Sequence, residues 1–67
     1  MDNKLVYVSR EFHGSHDDDP IIRVFSTREN AVNYALFKGY SLTTVSQRIM
    51  RGYDGDDEID IQIVAVD

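Results

Sequence analysis

The sequence predicts a single α+β domain over residues 1–67, a small two-layer sandwich in which one antiparallel sheet carries one main helix. The predicted order is ββαββ, with ββααβ as the alternative. Three observations lead there: apolar alternation of period two near both ends, helical spacing with cap residues in the middle, and turn-forming clusters between them.

The first strand is LVYVSREF, residues 5–12, β-branched and aromatic, with Leu5 and Tyr7 on one face and Val6, Val8 and Phe12 on the other. HGSHDDDP (13–20) is a loop closed by Pro20, which cannot donate to a ladder. IIRVF (21–25) follows as a second strand, so the two form a hairpin with a long acidic tip. The period then changes. Ser26 and Thr27 are N-cap types, and Ser26-x-x-Glu29 has the capping-box spacing. Ala31, Val32, Ala35 and Leu36 recur at helical spacing, and Gly39 stands where a left-handed residue ends a helix. This predicts a helix over 27–38 with Ala31, Ala35 and Leu36 toward the sheet.

Residues 41–51, SLTTVSQRIMR, fit either a helix with Leu42, Val45, Ile49 and Met50 on one face or a single strand. The Thr-Thr-Val run favours the strand. GYDGDDE (52–58) reads as a turn, because glycines among aspartates supply positive φ and local side-chain bonds. The last strand is EIDIQIVAV, where Ile59, Ile61, Ile63 and Ala65 alternate with Asp60, Gln62 and Val64. One helix cannot cover both faces of such a sheet. Val6, Val8, Ile22, Val24, Val64 and Val66 cannot all be hidden by it, and half of them need a second cover, supplied by a partner or a second copy.

A chain of 67 residues buries only about 60% of its unfolded surface. Without cysteine, no disulfide or thiolate–metal site reinforces it. The start of the chain, MDNKLVYVSREF, reads as neither signal peptide nor anchor, and no apolar run approaches the roughly 18 residues of a spanning helix. The expected place is the cytoplasm, away from membranes.

The net charge of −5 is unevenly spread. Residues 1–19 sum to −3, residues 20–53 to +4 and residues 54–67 to −6. Two acidic segments flanking a basic middle disfavour direct nucleic-acid binding and favour a protein partner with a basic surface. The candidate binding residues are Asp17, Asp18 and Asp19 in the first loop, with Tyr53, Asp54, Asp56, Asp57 and Glu58 in the late turn. Tyr34, Phe37 and Tyr40 add aromatic character nearby, as binding surface or as ordinary core.

His13 and His16 beside Asp17, Asp18 and Asp19 could gather a divalent ion, but a solvated hairpin tip needs no metal. The late acids miss the EF-hand spacing, since the sixth position from Asp54 is Ile59, where glycine is required. No cofactor motif, phosphate loop or nucleophile elbow is present in the sequence, and the expectation is a non-enzymatic binding protein without metal or cofactor.

Val24, Phe25, Ser26, Glu29, Ala31 and Ala35 form a "VF-S-x-x-x-A" entry from a hairpin into a helix. In this the chain resembles short accessory proteins abundant in bacteriophage genomes, and its architecture is similar to small phage inhibitors of host RNA polymerase. The resemblance implies an accessory or inhibitory protein that binds a host protein in the host cytoplasm, with charge mimicry of nucleic acid as one form of that binding. A self-associating module, forming a homodimer through the open sheet face, is the alternative. A minor metal-binding domain is the third reading.

Overall fold

The computed structural model describes residues 4–14 and 19–66. Five strands and one helix follow in the order β1 (Lys4–Phe12), β2 (Ile21–Phe25), α1 (Arg28–Phe37), β3 (Ser41–Ser46), β4 (Ile49–Asp54) and β5 (Asp57–Val66). All pairings are antiparallel, and the sheet order is β2-β1-β5-β4-β3. This overturns the expected two-layer ββαββ architecture. More than half of the chain is strand, the helix has ten residues, and the molecule is a small β-rich fold.

The difference lies between residues 41 and 58. That stretch reads in sequence as one element followed by a broad turn, but it is two long hairpins. The first reverses at Gln47 and Arg48, where the Arg48 amide donates to Ser46 Oγ (3.3 Å). No glycine, proline, asparagine or aspartate marks this reversal. Gly52, by contrast, looks like a turn residue and sits inside β4. A Cβ there would meet Leu42 at 2.8 Å and Ile59 at 3.1 Å, so glycine is present to let neighbouring side chains close over the strand. The second turn shrinks to Gly55 and Asp56 between the paired Asp54 and Asp57. Gly55 has φ of 62° and Asp56 has no positive φ, the signs of a type II′ hairpin turn.

The helix forms close to its expected place. Thr27, rather than Ser26, is the cap, and its side chain accepts from the Asn30 amide at 3.1 Å. At the other end the Gly39 amide donates to Leu36 (3.0 Å) and the Tyr40 amide to Ala35 (3.1 Å), a Schellman closure with Gly39 at φ 97°. Ala31 and Ala35 are fully buried, but Leu36 is 54% exposed, against expectation. Two alanines one turn apart let the helix sit low over the sheet, and residue 36 then falls on its flank.

The helix contacts β1, β2 and β3. Because β2 and β3 are the two edges of the sheet, the sheet curls around the helix. Its concave side holds the core, made of Ala31, Ala35, Tyr40, Met50, Ile59 and Ile61. Register assigns Leu5, Tyr7, Ser9 and Glu11 to this concave side, across from Ile59, Ile61, Ile63 and Ala65. Val6, Val8, Ile22, Val24, Val64 and Val66 share the convex side. Val24 and Ile22 are about three-fifths exposed there.

Among the described residues one buried side-chain group has no hydrogen-bond partner: Ser9 Oγ, fully buried between Arg23 and Ile61 in register. An unpaired buried hydroxyl costs about 1–3 kcal/mol, whereas a methyl in the same space costs nothing in hydrogen bonding. Ser9→Ala is therefore expected to raise stability by about 1 kcal/mol, read as a higher urea midpoint at unchanged slope. A lower midpoint would show that the hydroxyl has a partner.

Candidate functional site

Antiparallel topology decides where the acidic residues go. β1 runs into the first loop at the end of the sheet where β4 hands over to β5, since Phe12 pairs with Glu58. The start of the first loop is thus a neighbour of the late turn. His13 Nδ1 lies 3.4 Å from Asp57 Oδ2, and the Gly14 amide donates to Asp57 Oδ1 at 3.1 Å. Asp57 ties the loops together. Asp54, Asp56 and the loop residue Asp19 are exposed, and Glu58 is half-buried. The helix ends here too, for a Cβ on Gly39 would stand 3.2 Å from Asp54 Oδ2. The carbonyl end of a helix carries partial negative charge, which deepens the acidity of this end. Asp17, Asp18 and His16 lie outside the described residues. Among the described residues no three metal-ligating side chains converge.

The aromatic residues divide. Phe37, in the last turn of the helix, is 87% exposed, and Tyr53 is 55% exposed on the convex side beside Glu58. Tyr34 and Tyr40 instead converge on Glu11, which is only 2% exposed. The Tyr34 hydroxyl donates to one carboxylate oxygen of Glu11 and the Tyr40 hydroxyl to the other, at 3.3 Å. Arg23 Nε donates to the Tyr34 hydroxyl at 3.0 Å, and its guanidinium lies 5.3 Å from the centre of that ring. Burial, then the neighbouring Glu11 charge, pushes the Tyr40 phenol up to about 12. Tyr34 is raised by the same two causes, with Arg23 opposing. This network, buried at Glu11 and Tyr40 and open to solvent at Arg23, holds the helix end to the sheet. Sequence reasoning missed it, although Glu11 shares the odd-numbered parity of Leu5 and Tyr7.

On the convex side Arg10 and Asp60 face each other across β1 and β5 as a two-bond pair, Nε–Oδ1 2.9 Å and a terminal nitrogen–Oδ2 2.7 Å. The hydrogen bond and charge of Asp60 raise the Arg10 pKa still further. This pair divides the convex face into an apolar part toward Lys4 and Val66 and a charged part, with Phe12, Tyr53 and Glu58, toward the acidic end.

Among the described residues no helix is long and apolar enough to cross a membrane. Comparison of the chain with protein-family models, curated proteins and solved structures finds no match.

Proposed function

We propose that the protein is a non-enzymatic binding module whose acidic end docks on a protein with a basic surface. The observation that carries this reading is that the first loop leaves the sheet beside the late acidic turn, where Asp57 holds His13 and the Gly14 amide. Clustered like charges repel and cost native stability, and a basic partner offsets that cost. Phe37 and Tyr53 supply exposed aromatic area at the same end, the residue types that anchor protein interfaces. An accessory or inhibitory role on a host protein is the form of this function that the phage resemblance suggests. The apolar part of the convex face supports a second reading, self-association into a homodimer.

The structure selects the variant that tests the first reading. Asp57 holds the first loop, so it is left in place, and Asp54→Asn, Asp56→Asn and Glu58→Gln are combined. Wild type and variant are used to capture proteins from a host lysate, and association with the captured partner is then timed at low and high salt. The variant is expected to keep its thermal melt and to associate about tenfold more slowly at low salt, with the two converging at high salt. Equal association rates at both salt levels would sink the acidic-end reading. A salt-insensitive dimer in sedimentation would favour the convex face instead.

A further inference from the structure

β5 outruns β4. Their pairing stops at Ile49 and Gln62, and the Ile63 amide makes one last bond to the Arg48 carbonyl at 2.9 Å. β1 accompanies β5 to Val66 on the other side. Successive strand residues alternate in direction, so the Ala65 amide and carbonyl point the same way as the Ile63 amide, beyond the β3–β4 turn. Among the described residues no strand meets them there.

Beside this free edge, on the concave side, lies a groove of about 280 Å³ floored by Leu5, Tyr7, Ile63 and Ala65. Arg28, from the start of the helix, and Arg48, from the turn, line it with Gln47. Neither arginine has a carboxylate partner among the described residues. On the convex side of the same edge stand Val64 and Val66, about two-fifths exposed. The end of the molecule opposite the acidic loops thus joins unpaired backbone, an apolar floor, two guanidinium groups and an apolar outer face.

We propose that this edge receives an extended segment of a partner polypeptide in which an acidic residue alternates with apolar ones. Added as a strand against Ala65, such a segment sends alternate side chains to opposite faces. A glutamate on the concave side lays its methylenes over Ile63, Ala65 and Leu5 and brings its carboxylate to Arg28 and Arg48, a charge-assisted pairing stronger than a neutral one. The flanking apolar residues fall on the convex side against Val64 and Val66 as cross-strand pairs. The site is distinct from the acidic end and takes the opposite charge.

The test is an amide-resolved NMR titration of the whole chain with a blocked Ser-Val-Glu-Val-Ser peptide. The expected result is saturable shifts centred on Ile63, Ala65 and Arg48, with the acidic-end amides unmoved. Changing the peptide glutamate to glutamine, or combining Arg28→Gln with Arg48→Gln in the protein, should weaken binding about tenfold or more. Both arginines are exposed, and an unchanged spectrum away from the groove verifies the fold of the variant. A peptide N-methylated at its three central residues should lose binding, because it cannot donate to the edge. Absence of shifts at millimolar peptide would overturn the proposal. So would equal binding of the glutamine peptide, and so would undiminished binding of the methylated one.

Discussion

Replacing Ile61 by alanine is expected to cost about 2–5 kcal/mol, a large share of the stability of so small a domain. Ile61 is fully buried on β5, the central strand, between Ser9 of β1 and Met50 of β4 in register. It packs in the core with Ala31 and Ala35 of the helix. Truncation there opens a cavity that the alanines above cannot fill, since they have no longer side chain to swing inward. A domain of 67 residues has about 3–10 kcal/mol in total, at roughly 0.05–0.15 kcal/mol per residue, so one such loss takes a large share of it. Leu36→Ala supplies the contrast. Its side chain is 54% exposed, and its removal should cost well under about 1 kcal/mol. Urea unfolding of the two variants measures both. Equal midpoint shifts would mean that the helix packs through Leu36 after all.

That contrast shows where the sequence is legible and where it is not. Period-two alternation separates Leu5 and Tyr7 from Val6 and Val8, and Ile59, Ile61, Ile63 and Ala65 from Val64, as the register does, because strand geometry leaves only two choices. For the helix, the cap and Gly39 mark the ends, but several neighbouring apolar residues compete for one buried stripe. Which of them wins depends on how closely the helix approaches the sheet. Ala31 and Ala35 allow a close approach, and Leu36 is displaced to the flank. The hairpin between β3 and β4 escapes sequence reading for another reason. Gln47 and Arg48 have no turn chemistry of their own, and their reversal is imposed by pairing of Thr44 with Met50 and Leu42 with Gly52.

The candidate sites divide along the same line. Acidic runs at 17–19 and 54–58 are visible in sequence, but that the first loop starts beside the late turn follows from the strand order. The arginine groove is less visible still. Arg28 and Arg48 are 20 positions apart in the sequence, one beginning a helix and the other turning a hairpin. Only the curl of the sheet, which carries the helix start and the β3–β4 turn to the same end, makes them neighbours. Net charge conceals this, because a chain of −5 overall still gathers two guanidinium groups on one groove.

Raising the pH from 10 to 12 is expected to destabilise the fold through the tyrosines that hold Glu11. Tyr40 is 4% exposed, and its pKa stands at about 12 in the fold against about 10 in the unfolded chain. Between those values the unfolded state has released a proton that the folded state keeps. The unfolded state then binds fewer protons, so stability falls as pH rises. The contribution is complete below pH 10 and is lost through pH 12, on the order of 2 kcal/mol for Tyr40. Tyr34 acts with the same sign. Lysines also titrate in this range, so the comparison that isolates the effect is wild type against Tyr40→Phe, with urea midpoints taken at pH 8, 10 and 12. The phenylalanine variant should show the shallower alkaline loss. At pH 8 the same network predicts a large effect for Glu11→Ala, about 2–4 kcal/mol, because two phenol hydroxyls lose their acceptor and only Tyr34 retains a second partner in Arg23. Glu11→Leu combined with Tyr34→Phe and Tyr40→Phe removes donors and acceptor together. Stability should then return toward that of wild type, since an apolar core needs no hydrogen bonds. A triple variant as unstable as Glu11→Ala would show that the carboxylate has a role beyond receiving these two hydroxyls.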